Sequence, residues 1–325
     1  MRLDSARDLK ASLLNKYVKP LAKPAFATAL GVAARSVSSL EAVPRTMALG
    51  VARKGKKDFR LAVRVQSRAL WGSDHVEAIR KAARGEVDIK YVGRIVKRAP
   101  WHQSRQRPLL IGCSIGHFRI TAGTLGFFFR RGSTSLILSN NHVLADENAG
   151  KKGDAIVQPG NFDGGTRRKD TVGTLDRFVR LLPGQVNRVD AAVARIKPGV
   201  LFVPRRLRGL GTLQGVGQPP EVGDRVAKVG RTSGVTRGRV TAIELDNVVV
   251  GYDMGNLRFD DQIEIEGAGT RPFSQGGDSG SLIVDADLKA VALLFAGGDV
   301  GGTNGQGLTY ANPLRLVLSA LSITW

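Results

Sequence analysis

From about residue 109 onward the chain is a succession of short apolar runs broken by turn-forming residues. The runs Thr124–Phe129 (TLGFFF), Ser135–Ser139 (SLILS), Asp190–Ile196 (DAAVARI), Arg225–Gly230 (RVAKVG), Asp246–Tyr252 (DNVVVGY), Gly280–Val284 (GSLIV) and Ala290–Phe295 (AVALLF) are each one strand in length. Gly, Asp, Asn and Pro lie between them. Segments of about four to eight such residues suit antiparallel strands in a sandwich or barrel. Forty glycines among 325 residues favour the same turn-rich, all-β reading. Only Pro313 to Leu321 reads as a late helix, and no solenoid repeat is visible.

The pattern before residue 109 differs. Leu9, Leu13 and Leu14 lie at helical spacing among Lys10, Lys16 and Lys19, and Pro20, Pro24 and Pro44 interrupt any long helix. Leu61, Val63 and Val65 alternate with Ala62 and Arg64 as in a strand. Ser73 and Asp74 are placed to cap a helix running through Arg84, with Val76, Ile79 and Ala83 on one face and Gly85 ending it. Val87, Ile89 and Tyr91 form a second alternating run, and Lys97 to Arg107 is linker-like. The expected organisation is a basic, partly helical extension over 1–45, a small α+β unit and linker over 46–108, and a β domain over 109–325.

Charge and cysteine content narrow the class. The net charge is +21, and residues 1–108 hold 24 Lys or Arg against 8 Asp or Glu, so that third carries +16 and the remainder +5. A basic extension can meet anionic surfaces, although a solvated tail or a helix packed on the body is the plainer reading. Phe59, Trp71, Tyr91 and Trp101 are scattered with no stacking stripe, so at most non-specific nucleic-acid contact is expected there. Cys113 is the only cysteine, which rules out an intramolecular disulfide and fits a reducing compartment. The N-terminus MRLDSARDLK is charged, and no apolar run approaches the ~18 residues of a membrane span. A soluble, cytoplasmic protein is expected; its oligomeric state is not legible.

Three motifs carry chemistry. Gly276-Gly277-Asp278-Ser279-Gly280-Ser281 precedes the strand Leu282-Ile283-Val284. A serine hydroxyl needs a base to become a nucleophile and backbone N–H groups to receive the oxyanion, and flanking glycines let the backbone approach a substrate. Ser139-Asn140-Asn141-His142-Val143-Leu144-Ala145 follows the run Leu136-Ile137-Leu138 and places a histidine at a strand end, where a general base could be held. Val189-Asp190 opens an apolar strand with a carboxylate able to orient an imidazole. Taken singly, the serine motif is as readily a glycine-rich turn with a surface serine as a nucleophile loop, while the histidine reads as structural and the aspartate as a strand-opening turn residue. The rival nucleophile is Cys113, with His117 on the same face of a strand; a small buried cysteine is the more ordinary reading. His75, His102, His117 and His142 are too scattered for a metal site, and Asp163-Gly164-Gly165 reads as a turn.

Together the three motifs resemble the chymotrypsin-like serine peptidases over residues 109–325. SNNHVLA is similar to that family's histidine motif, VDAAV to its aspartate motif, and GGDSGS to GDSGG with Ser281 in place of the second glycine. The candidate residues are 48 and 89 positions apart. Arg107-Pro108, Ser114-Ile115-Gly116-His117, Ala122 to Gly126, Gln158-Pro159-Gly160 and Lys228 to Val240 further resemble the disulfide-free intracellular trypsin-like proteins of bacteria and the plant narrow-leaf type. The resemblance implies two six-stranded antiparallel β-barrels preceded by the small α+β extension. It implies a serine endopeptidase acting on proteins or peptides without cofactor or metal, with His142, Asp190 and Ser279 as catalytic triad. The N–H groups of Gly277 and Ser279 would form the oxyanion hole. Asp278 would anchor the serine loop through a buried ion pair, whose partner in many relatives is a new N-terminus made by cleavage. Phe273, with Ser274 beside it, would set the floor of the substrate pocket, and Phe295-Ala296-Gly297 would line it. A bulky neutral Phe273 implies no preference for Lys or Arg. The alternative is a latent or non-catalytic scaffold whose basic N-terminal third binds nucleic acid or anionic surfaces.

Overall fold

The computed structural model describes residues 1–22, 46–93, 95 and 100–324. The expected helix breaks at Pro24 and Pro44 lie outside the described residues. The chain divides into two compact units, Met1–Arg98 and Ala99–Trp325. Among the described residues no helix is long and apolar enough to cross a membrane.

In the first unit the helix Leu3–Leu13 runs into a π-helical turn, Leu14–Val18. Strand Met47–Arg53 pairs antiparallel with Phe59–Val65, which pairs parallel with Val87–Tyr91. A parallel pair needs a crossover, and the helix Asp74–Ala82 supplies it. Its Val76 and Ile79, with Ala83, share one core with Leu13, Val18, Leu21, Leu61, Val63 and Val65, so the first helix and the sheet bury a common face. Ser73 does not cap the helix as expected: its hydroxyl donates to the Leu70 carbonyl at 2.9 Å. The helix also stops short of Arg84, which with Gly85 adopts positive φ. Trp71 and Tyr91, separate in sequence, meet at a ring distance of 5.7 Å with the Arg68 guanidinium over Tyr91.

The second unit is mostly β and has the chymotrypsin-like two-barrel fold. Its first sheet has seven strands in the order Gly123–Thr124, Ser114–His117, Ala155–Val157, Thr171–Phe178, Ala192–Ile196, Thr134–Ser139 and Phe127–Arg131. It curls without closing. In the second sheet, Lys289–Gly297 pairs with both Leu282–Val284 and Leu308–Pro313, while Arg225–Gly230, Gly234–Leu245 and Gln262–Gly267 complete a closed six-stranded ring. Val226, Val240, Ile263, Ile265, Ile283 and Leu294 fill that ring. The helix Leu314–Ala320 follows, within the Pro313-to-Leu321 segment expected.

Candidate active site

Strand register brings two of the candidate residues together. Ser139, the last residue of its strand, pairs with Ala192, the first of its own. The strands are antiparallel, so the residues just past Ser139 and just before Ala192 leave the sheet at the same edge. There the His142 Nδ1–H donates to Asp190 Oδ2 at 2.5 Å. A carboxylate only accepts, so this contact fixes the proton on Nδ1 and leaves the Nε2 lone pair free.

Asp190 has no exposed surface. It also accepts from the Asn141 N–H at 2.6 Å, from the His142 N–H at 3.4 Å and from the Tyr252 hydroxyl at 2.8 Å. Its own N–H donates to Asn312 Oδ1 at 3.0 Å. Tyr252 ends the strand Val248–Tyr252, which forms a hairpin with Gly255–Phe259. Its ring meets His142 edge-on, with centroids 5.9 Å apart. Burial, then the negative charge of Asp190, push the Tyr252 hydroxyl well above its ordinary pKa, so it is a permanent donor. The Glu147 carboxylate accepts from the Asp253 and Met254 N–H groups, both at 3.1 Å, and pins the hairpin tip to the loop after His142. Burial disfavours the imidazolium of His142, but the charge and hydrogen bond of Asp190, helped by Glu147, outweigh it and raise the pKa.

Ser279 lies in the turn before Leu282–Val284. Its carbonyl accepts from the Thr124 N–H at 2.8 Å, and the next N–H, of Gly280, donates to the Leu294 carbonyl at 2.8 Å. Gly280 has φ +91°, and a Cβ there would stand 2.0 Å from the Ser139 Oγ and 2.4 Å from the Thr124 carbonyl oxygen. Only glycine permits this approach, which presses the serine turn against the end of the strand that leads to His142. The Ser279 hydroxyl donates to the Phe295 carbonyl at 3.3 Å; among the described residues no hydrogen bond joins it to His142. Gly277 has φ +93°. Neither its N–H nor that of Ser279 donates to a protein acceptor among the described residues, whereas the Asp278 N–H between them donates to Gln275.

The serine turn rests on a buried charge. Asp278 and Lys228 both have fully buried side chains and form an ion pair at 3.2 Å. Asp278 further accepts from the N–H groups of Thr232, Ser233 and Gln275 and from the Ser233 hydroxyl. Desolvation, opposed by Asp278, lowers the Lys228 pKa. The resemblance left the partner of Asp278 open; in the structure it is an internal lysine. Asp163, read as a turn residue, does lie in a turn, and it also pairs bidentately with Arg231 at 2.6 and 2.7 Å.

The expected pocket residues are more dispersed. The Phe273 side chain is buried inside the closed barrel with Val226, Val240 and Ile265, not on an open floor. Ser274 Oγ contacts Thr309 Oγ1 at 2.7 Å, across from Gly297, which pairs with Thr309. The Phe295 ring packs on Phe259 at 4.7 Å, so that residue faces the cleft through its backbone. Beyond Leu294 the strand has outrun its partner Leu282–Val284, leaving Ala296 and Gly297 bonded on one side only among the described residues. Cys113 and His117 are both fully buried. Burial pushes the Cys113 thiol up to about 12, which leaves no thiolate at neutral pH. His117 Nε2 is held by Asp154 at 3.1 Å.

The fold and this arrangement define the class: a chymotrypsin-like, two-barrel protein with an imidazole–carboxylate pair and a glycine-flanked serine turn. The family model for the trypsin-like peptidase domain matches residues 123–293, more than half the chain, and the chain belongs to that family. It is similar to Thermobifida fusca protease A, with 21% identity over 66% of this chain and 98% of that one, at a TM-score of 0.46. It is also similar to Cellulomonas bogoriensis chymotrypsin, with 21% identity over 66% of this chain and 95% of that one, at a TM-score of 0.45. No curated protein matches it.

Sequence reasoning missed Tyr252, Glu147 and Lys228. A signal existed for Lys228, a cation set between Ala227 and Val229 in the middle of an apolar run; none existed for the other two. Replacing Lys228 by Met should strand the Asp278 carboxylate and destabilise the protein by about 3–5 kcal/mol. Urea denaturation of Lys228→Met against Lys228→Met/Asp278→Asn checks this, and the double variant should recover part of the loss.

Proposed function

We propose that the chain is a serine endopeptidase with Ser279 as nucleophile, His142 as general base and Asp190 as the residue that orients it. The observation carrying this reading is the 2.5 Å bond from His142 to a buried Asp190, at the sheet edge against which the serine turn is pressed. Rotation about the Ser279 Cα–Cβ bond would move its hydroxyl from the Phe295 carbonyl to the free His142 Nε2; catalytic hydrogen bonds are often loose before substrate binds. His142 would take the proton as Ser279 attacks the peptide carbonyl, and the unpaired N–H groups of Gly277 and Ser279 would receive the oxyanion. His142 would protonate the leaving amine, and water would then hydrolyse the acyl-enzyme by the same route. The Lys228–Asp278 pair supports a serine turn that is set without a new N-terminus. The single cysteine supports a reducing, intracellular setting and the disulfide-free subgroup.

Ser279→Ala should reduce turnover by roughly 10⁴-fold or more with the fold intact. A serine-directed fluorophosphonate should label residue 279 of the parent chain, as read by mass spectrometry. Absence of both label and turnover would favour the latent scaffold.

The direction of the His142 shift predicts the pH profile. The base works as neutral imidazole, so a raised pKa places the acid limb of kcat/KM above the ordinary imidazole value, with activity lost as pH falls through it. Glu147→Gln removes an anion and should move the limb to lower pH. Tyr252→Phe removes a donor to Asp190, leaves its charge less compensated, and should move the limb to higher pH while lowering kcat roughly tenfold. Opposite displacements distinguish electrostatic tuning from general disruption.

With Phe273 turned into the barrel core, that position brings no carboxylate to the cleft, which supports cleavage without a preference for Lys or Arg. Profiling with a peptide library checks this, and dominant cleavage after Lys or Arg would refute it.

A further inference from the structure

The outer face of the closed barrel carries a groove that the catalytic reading does not use. A cavity of about 740 Å³ is lined by Arg225, Arg237 and Arg239, with Leu210, Ala227 and Leu288 among its apolar residues and Glu266 to Gly269, Thr303 and Asn304 also contributing. Arg225 stands directly opposite Arg239 in the register between Arg225–Gly230 and Gly234–Leu245, and Arg237 lies two residues along the same face. Like charges directly opposed across a ladder are destabilising.

One acid offsets this in part: Glu266 stands opposite Arg239 on the other side of its strand, whereas among the described residues Arg225 and Arg237 have no such neighbour. One Glu266 oxygen accepts from the Thr303 hydroxyl at 2.6 Å and the Asn304 N–H at 3.0 Å, and the other pairs with Arg239 at 3.9 Å. Asp285 accepts from the N–H groups of Asp287 and Lys289 within its own turn. Among the described residues, Arg225 and Arg237 have no ion-pair partner.

The groove continues toward the serine turn. A second cavity of about 520 Å³ shares Arg237 and Ala268 with the first and adds Arg271, Gln275, Thr232 and Ser233. Gln275, Thr232 and Ser233 are residues that hold Asp278.

We infer that this groove binds an acidic peptide segment, and that it docks substrate proteins carrying such a segment; the second half of this statement rests on the peptidase reading. Arginine forks match carboxylates, and the apolar lining suits the stem of a Glu side chain or the peptide itself. A nucleic acid fits less well, because no aromatic side chain lines either cavity for base stacking.

The test uses the full chain bearing Ser279→Ala and a fluorescein-labelled octaglutamate peptide, read by anisotropy. Binding should weaken roughly tenfold or more in Arg225→Gln/Arg237→Gln/Arg239→Gln. It should be unchanged in Lys56→Gln/Lys57→Gln, which removes charge from the first unit. Equal affinity for octaglutamine, or unaltered octaglutamate affinity in the triple variant, would overturn the site. So would tighter binding of an eight-residue oligothymidylate that is lost in the same triple variant, since that would make the face a nucleic-acid surface. The docking role is read separately on the Ser279 chain: a glutamate tail on a cleaved reporter peptide should lower KM, and the triple variant should abolish the gain. Cleavage without a tail effect removes docking and leaves the peptidase reading standing. Tail binding without any cleavage removes the peptidase reading, and substrate docking with it, and leaves the acidic-peptide site standing.

Discussion

The buried carboxylate of Asp190 is the constraint around which the cleft is arranged. A carboxylate without exposed surface persists only if its lone pairs are met by donors, because burial otherwise drives it to its neutral form. The donors come from separate parts of the chain: the turn Asn141–His142, the imidazole itself and Tyr252 on a hairpin more than sixty residues on. Asn312 fixes the backbone of the same residue from the last strand of the second sheet. Satisfying one acid therefore ties the first sheet to the hairpin and to the closed barrel. The geometry that makes His142 a candidate base follows from that requirement.

Asp278 poses the same problem a short distance along the fold, with a different solution. Its charge is met by a true cation, Lys228, as well as by three N–H groups and the Ser233 hydroxyl. A buried ion pair adds little net stability, yet losing either member leaves an uncompensated charge. What the pair supplies is definition: it holds the turn in the conformation that leaves the Gly277 and Ser279 amides unpaired. The glycine at 280 complements this by letting the turn close against Ser139.

The separate segments were legible in sequence because each candidate residue sits where a strand meets a turn, and strand–turn contrast is a local signal. The run Leu136–Leu138 before His142 and the run after Asp190 both formed strands. What sequence could not show was register, the Ser139–Ala192 pairing that makes the two ends meet, since register depends on partners chosen at long range. Tyr252 was hidden for the same reason; nothing beside it in the chain marks it as a partner of Asp190. Ser73 looked like a cap but its hydroxyl found a nearer carbonyl, a competition that residue type alone does not decide. The two-barrel fold was legible as a class, while the closure of only one sheet was not, because closure turns on the extra pairing of Lys289–Gly297 with Leu308–Pro313.

Charge is arranged differently in the cleft and on the outer face of the closed barrel. Three acids that build the cleft are committed: Asp190 to His142 and Tyr252, Asp278 to Lys228, Glu147 to the hairpin tip. Committed groups give fixed fields, which is what proton transfer and oxyanion stabilisation require. On the outer face of the closed barrel the balance is reversed, with Arg225 opposed to Arg239 in register and Glu266 the one carboxylate paired with an arginine of the groove among the described residues. An arrangement that raises the energy of the free protein gains the most from a ligand of opposite sign, because binding removes the repulsion as well as adding contacts. The turn Thr232–Ser233 touches both regions, bonding Asp278 on one side and lining the arginine groove's continuation on the other. Occupancy of the groove and the order of the serine turn thus share a physical element, and whatever holds that turn still also holds the amides that would face a substrate.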